Sequence, residues 1–381
     1  MKRLIILTEI MAPYRIPVFN ALAKEAGIDL HVIFLAENDP GLRQWRIYKD
    51  EIRFSFQVLQ SWRRRLGRYN ALLTWGVSSA LRHASPDAIL CGGYNYVASW
   101  QSMWWARRNR VPFLIWVEST AADQRGNNRL VESLKKEFLR GSNAFVVPGK
   151  SSFAYVRGYG APEELIYTAP NAVDVEFFVE RAEDARHNSA TLRRDLQLPA
   201  RYFLFVGRLV WEKGIFDLLD AYGALPSELR AAIGLVFVGE GNERSALERR
   251  AAKTVPGAVH FAGFVHREQL PGYYALSEAL VFPTRSDTWG LVVNEAMACS
   301  LPVISSGAAG CAADLVEDYW NGRVLPAGDI NEFAHAMNEV AGDAPLRSLM
   351  GRRGRDRILR YLPEACATGI AQAFFSRGSA S

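Results

Sequence analysis

Residues 202–225 read YFLFVGRLVWEKGIFDLLDAYGAL, and the three parts of this stretch decide the fold. YFLFV is a run of apolar residues of the kind that fills a strand buried on both faces. GRLVWEKG, residues 207–214, is a turn bounded by Gly207 and Gly214, which let the backbone bend tightly. IFDLLDAYGAL then carries apolar residues at helical spacing. A strand, a short turn and a helix in succession are the repeating unit of parallel α/β sheets. The turn also brings Arg208 and Lys213 to the start of a helix, whose first amides add partial positive charge. An anion site results. It lacks the terminal Lys-Ser/Thr of a P-loop and is not a GxGxxG run. A loop Arg and Lys are common on surfaces; what marks this pair is its place between strand and helix.

The same unit recurs in both directions. Upstream the strand runs are RLIILTE, LHVIFLA, AILC, PFLIWVE, AFVVPG and LIYTAP; downstream they are GLVFVGE, VHFAG, ALVFPT and PVISS. Between the two sets, residues 173–200 are polar and charged with no strand run and read as a linker. At 381 residues the chain exceeds the size at which a single core stops growing. The fold class is therefore α/β, with two Rossmann-like lobes, residues 1–172 and 201–360, and an interdomain cleft at the carboxyl ends of their strands. Residues 361–381 read as a final helix with a frayed end.

Composition narrows the rest. With 49% hydrophobic and 22% charged residues the chain is a globular protein rather than a disordered one. The net charge of +5 conceals an asymmetry: residues 1–172 hold 23 Lys and Arg against 14 Asp and Glu, while the remainder holds 22 against 26. A basic first lobe suits phosphates, anionic lipid or nucleic acid, or is a solvated surface with no partner. Cys91, Cys299, Cys311 and Cys366 form no CxxC pair, which excludes a zinc ribbon or disulfide framework and fits a reducing compartment. MKRLIILTEI has an apolar run that Glu9 interrupts, and it reads as a strand rather than a signal peptide. The longest uncharged run, Ala88 to Ala106, reaches the length of a membrane span, but Asn95, Ser99, Gln101 and Ser102 make it too polar.

A second loop repeats the logic of the first. In residues 284–303, TRSDTWGLVVNEAMACSLPV, the helix is WGLVVNEAMACS and Asp287 stands just before it. Asp287 either caps that helix or accepts hydrogen bonds from sugar hydroxyls. Glu295, about one and a half turns in, reaches a diol such as ribose on the same side. A carboxylate in an apolar helix needs partners. Gly290 keeps the turn open for close approach of a ligand to the backbone.

GRLVWEKG followed by SDTWGLVVNEAMACSLPVISS resembles the retaining nucleotide-sugar glycosyltransferases of family 4, which have the GT-B fold. The resemblance extends through GLVFVGEGNERSAL, VHFAGFVHREQLPGYYALSEALVFPT and NGRVLPAGD, and more weakly through APYRIPVFNAL and PNAVDVEFF. It implies that Gly207, Arg208 and Lys213 hold the donor diphosphate. The amides around Thr288, Trp289, Gly290 and Leu291 would contact sugar and phosphate, Glu295 the ribose, and Phe264 and Val265 the base. Asp287 stands where the family's motif usually has Glu, one methylene longer. The terminal helix would pack back on the first lobe. In that lobe MAPYR replaces a Gly-Gly loop, and Glu118 stands where many relatives carry His. Glu118 would meet a sugar or acceptor hydroxyl, or else pair with Arg125 or Arg129. His31 and His83 follow no site motif and read as structural. Pro13, Tyr14, Arg15 and Gly93 complete the loops expected to face the acceptor.

The resemblance implies front-face transfer with retention, in which Arg208, Lys213 and helix termini stabilise the departing diphosphate and no metal or cofactor is needed. Asp174-Val-Glu176 has the look of a metal-binding Asp-x-Asp, yet it falls in the linker. The expected partners are a UDP- or GDP-sugar donor and a saccharide or lipid-linked acceptor. Seven of ten tryptophans lie in the first lobe, and SWRRRLGRYNALLTW combines Arg63, Arg64, Arg65 and Arg68 with aromatics. That pattern suits an anionic membrane surface, and no nucleic-acid-binding motif accompanies it. The expectation is a cytoplasmic enzyme peripheral to the inner face of the membrane, building surface glycan. Two rivals are a sugar-nucleotide epimerase of the same fold, whose acid/base set is not found, and a noncatalytic sugar-nucleotide-binding protein.

Overall fold

The computed structural model describes residues 1–39, 45–66, 69–123 and 129–377. It comprises two compact units, Met1–Val173 with Pro363–Ser381, and Asp174–Leu362.

The first unit contains β1 (Lys2–Thr8), β2 (Ile28–Phe34), β3 (Ser55–Val58), β4 (Ser61–Leu66), β5 (Tyr69–Thr74), β6 (Ala88–Cys91), β7 (Phe113–Trp116), β8 (Ala144–Val147) and β9 (Ile166–Thr168). Seven of these form one sheet in the order β3-β2-β1-β6-β7-β8-β9, parallel throughout. Strand order reverses between β1 and β6, so the loops after those two strands leave the sheet side by side. β6, β7 and β8 are wholly buried, which is why they read as unbroken apolar runs.

β4 and β5 form a separate antiparallel hairpin that the strand patterns did not predict. Its inward positions include Arg63, paired with Glu9 and Asp39, beside Leu72, and a charged inner residue hides the alternation of a strand.

The second unit contains β10 (Tyr202–Val206), β11 (Gly234–Val238), β12 (Val259–Gly263), β13 (Ala279–Phe282), β14 (Val303–Ser306) and β15 (Gly322–Leu325). They form a parallel sheet in the order β12-β11-β10-β13-β14-β15. Order reverses between β10 and β13, and these are the strands that feed the two loops singled out above. Each unit is a Rossmann-like α/β lobe.

The stretch read as a linker differs from that reading. Residues Val175–His187 and Ser189–Asp195 are helices of the second unit. Asp174 caps the first of them by accepting from the Phe177 amide at 3.2 Å, so the Asp-Val-Glu run is a helix start. Arg186 donates to the Cys299 carbonyl, and the Cys299 thiol lies 3.7 Å from the Phe178 carbonyl, which ties this helix to the end of the Leu291–Ala298 helix. No strand run was present to announce this packing.

The last helix, Pro363–Arg377, belongs to the first unit, where Cys366, Ile370 and Phe374 are fully buried against the Ile16–Leu22 helix and the sheet. Gly369 allows the close approach, since a Cβ there would lie 2.1 Å from the Thr168 carbonyl. The uncharged run 88–106 becomes β6, a turn and the Val97–Asn109 helix. Among the described residues no helix is long and apolar enough to cross a membrane.

Candidate active site

At the switch point of the second unit, the loop after β10 and the loop after β13 are bound into one body. The Glu212 carbonyl accepts from the Arg285 amide at 2.9 Å and from the Thr284 hydroxyl at 3.1 Å. Arg285 forks onto Asp217 at 2.8 and 2.7 Å and lies over the Trp211 ring at 4.7 Å. Gly214, at φ +67°, permits the contact, because a Cβ there would fall 2.1 Å from the Pro283 carbonyl.

Across this seam Lys213 Nζ meets Asp287 Oδ2 at 2.5 Å, with the Ser286 carbonyl at 3.5 Å. Their side chains are 14% and 19% exposed, so the pair is largely withdrawn from water yet open to a ligand. Asp287 does not cap the following helix. Its Oδ1 accepts from the Trp289 amide at 3.2 Å in a turn closed on itself, and the helix begins only at Leu291, after Gly290 at φ +98°. The Trp289 amide, expected to face sugar or phosphate, is engaged by Asp287 instead. The Trp289 ring is buried and donates through Nε1 to Asn294 Oδ1 at 2.9 Å.

Gly290 also serves a different end from the one expected: a Cβ would press on the Phe282 ring at 2.8 Å, so glycine there permits internal packing. A third loop, after β14, joins at the same point, with the Gly310 amide donating to the Asp287 carbonyl at 3.0 Å. Its GAAG run, residues 307–310, is a turn signal in the sequence. Gly207 and exposed Arg208 sit on the β10 loop, and Thr288 and Leu291 flank the Trp289-Gly290 turn, half-buried.

Glu295 stands in the fifth position of the Leu291–Ala298 helix, and its Oε2 accepts from the Tyr274 hydroxyl at 2.6 Å. Burial raises its carboxyl to about 7, the Tyr274 hydrogen bond offsetting part of that rise. A single oxygen is engaged, leaving Oε1 without a partner among the described residues. Tyr274 is fully buried, and nothing in LPGYYAL distinguished it from a core tyrosine. Phe264 follows β12, 37% exposed and edge-on to His266 at 5.0 Å, whereas Val265 beside it is buried.

In the first unit a cavity opens where β1 and β6 diverge, and Thr8, Glu9, Tyr14, Arg15, Trp116 and Glu118 are among its walls. Arg15 donates to Glu118 Oε1 at 2.8 Å and lies over the Trp116 ring at 3.8 Å. Asn171 donates to the same Oε1 at 2.7 Å. Glu118 therefore pairs with Arg15 rather than Arg129, and Arg125 lies outside the described residues. Tyr14 stands edge-on to Trp45 at 6.1 Å. Pro13 is buried, and Gly92 rather than Gly93 lines the cavity. No pattern in the sequence marks Asn171, in PNAVD, or Trp116, in an apolar strand run, as members of this group. His31 and His83 bond Ser55 and the Ser79 carbonyl on the surface, outside this group. Among the described residues no three His, Cys, Asp or Glu side chains form a group that could hold a metal ion.

Comparison with known proteins follows the same division. Residues 18–177 match the family described as Glycosyltransferase Family 4, and residues 189–357 match Glycosyl transferases group 1. The O-antigen chain mannosyltransferase B of Escherichia coli is 30% identical over 176 residues, 45% of this chain and 45% of that protein. The chain spans about half the length of the curated relatives it matches first. Sucrose-phosphate synthase from Thermosynechococcus elongatus has the same fold, with a TM-score of 0.76 at 22% identity over 100% of both chains. So does Anabaena Alr3699/HepE in complex with UDP-glucose, with a TM-score of 0.76 at 18% identity over 99% of this chain and 100% of that one. Two family matches in tandem, one on each lobe, and a fold shared along the whole length lead to one assignment: the chain belongs to the family 4 glycosyltransferases of GT-B fold.

Proposed function

We propose that this chain is a retaining glycosyltransferase that moves a hexosyl unit from a UDP- or GDP-sugar to a saccharide or lipid-linked acceptor in glycan synthesis. The observation that carries the reading is the Lys213–Asp287 pair, set where the strand order of the second sheet reverses and held by three loops. Breaking a glycosyl–phosphate bond leaves negative charge on the diphosphate and positive charge at the anomeric carbon. Lys213 and Arg208 meet the first, and preorganised cations in a partly dry site stabilise such charge far better than water does. Asp287 accepts from sugar hydroxyls while Lys213 turns to phosphate. Glu295 offers Oε1 to the ribose diol, oriented by Tyr274. Phe264 supplies an aromatic edge for the base. The cations take the part a metal plays in other transferases, so no metal or cofactor enters the proposed reaction. In the first unit the Arg15–Glu118–Asn171 group receives the acceptor hydroxyl, whose proton leaves with the departing phosphate in front-face attack. Work at the inner membrane face on a lipid-linked saccharide fits the basic first lobe.

A panel of UDP- and GDP-sugars, scored for thermal shift and for release of free nucleotide in EDTA, tests this. One donor should stabilise the protein and be turned over, with Arg208→Ala losing both effects. If no donor shifts the melt, Asp287 and Glu295 are internal structural carboxylates and the transferase reading fails.

A further inference from the structure

The β4–β5 hairpin has two unlike faces. Its register pairs Trp62 with Leu73, Arg63 with Leu72, and Arg64 with Ala71. Arg63 and Leu72 turn inward, the first onto Glu9 and Asp39 and the second into the core. The opposite face leaves Trp62 46% and Leu73 44% exposed, and Trp75 at the end of β5 is 58% exposed. β5 packs on the Val97–Asn109 helix, where Trp104 is 58% exposed and Arg107 and Arg108 are also exposed. Large aromatic side chains on the outer face of a two-stranded ribbon serve no core. Charge is concentrated in the same stretch: residues 61–110 hold eight arginines and a single acidic residue, Asp87, a net +7 within a lobe of net +9.

We propose that the outer face of this hairpin, with the adjoining 97–109 helix, docks on an anionic phospholipid bilayer. Trp62, Leu73 and Trp75 enter the headgroup region, and Arg64, Arg107 and Arg108 meet lipid phosphates. Tryptophan is the side chain that partitions best into that interface, having an apolar body and one polar N–H. Arginines around an apolar centre match a surface whose charge lies above hydrocarbon. A nucleic-acid strand would instead call for a basic groove tracking its backbone. The inference rests on the lipid-linked acceptor reading for its purpose, but its test requires neither donor nor acceptor, so failure here leaves donor turnover untouched.

The full-length protein is floated with vesicles of phosphatidylglycerol and phosphatidylcholine, and with phosphatidylcholine alone. It should float with the anionic vesicles, less so as salt rises. Trp62→Ser, Leu73→Ser and Trp75→Ser combined should abolish flotation with the melting temperature kept, since all three sites are exposed. Independently, Arg64→Gln, Arg107→Gln and Arg108→Gln, each removing one positive charge, should each weaken partition about fivefold. Equal flotation on neutral vesicles, no flotation at all, or flotation that neither set of substitutions changes would overturn the proposal. So would a dimer that the serine substitutions dissolve, which would give the face to a second copy of the chain.

Discussion

Lys213 and Asp287 are withdrawn from water enough that removing one leaves the other's charge poorly compensated. Lys213→Ala and Asp287→Ala should each cost the second unit about 1–3 kcal/mol, and the double variant less than their sum, in denaturant melts of a full cycle. Full additivity would mean that the pair has no coupling. Lys213→Ala should also lower donor turnover by about 10²–10³. Glu295 behaves in the opposite sense. Its folded-state value of about 7 lies above the ordinary 4.5, so the folded chain binds this proton more tightly than the unfolded chain. The group's contribution is most favourable at acid pH and declines as pH rises from about 4.5 to about 7. Glu295→Gln should therefore gain on the parent by roughly 2 kcal/mol between pH 5 and pH 8, while binding donor more weakly. Urea melts at the two pH values check this, and a difference independent of pH would contradict it. At this scale the sequence exposed Arg208, Lys213, Asp287 and Glu295 because charged residues stand out beside apolar runs. It could not reveal that Lys213 meets Asp287, since they are 74 residues apart and only the strand order joins them. Tyr274 and Asn171 had no signal, because a buried tyrosine and a loop asparagine look alike in every role.

The strand–turn–helix units were legible as elements wherever both strand faces are buried, as in β10, β13 and β14, because continuous apolar runs then survive in the sequence. Where a strand is short or carries charge inward, as in β15 with Arg323 held by Asp318 and Glu339, the run breaks and the strand disappears from view. The start of the Leu291–Ala298 helix was misplaced by two residues because the Asp287 turn consumes Trp289 and Gly290 first. The seam between loops supplies a prediction of its own. Gly214→Ala forces a Cβ into the Pro283 carbonyl and should cost roughly 3–5 kcal/mol, parting the β10 and β13 loops. Thermal melts with and without donor should show both stability and the donor-induced shift reduced. A variant that melts like the parent would show that the seam yields.

Two Rossmann-like lobes could be read from the alternation of strands and helices along the whole chain, but the membership of two segments could not. Residues 174–195 carry no strand pattern, yet they pack on the helix that bears Glu295. The Pro363–Arg377 helix is apolar on several sides, which marks burial without naming its partner. Truncation after Leu362 should therefore unprotect the Ile16–Leu22 helix and β9 in hydrogen exchange while leaving β10 to β15 protected. Uniform loss across both units would show that their stabilities are not separable. This placement bears on the order of events at the ribosome. Domains generally fold as they emerge, the first before the second. Here the first lobe must wait, with part of its core uncovered, until a helix made after the whole second lobe arrives, so the second lobe can finish first and the nascent first lobe keeps apolar surface exposed for longer.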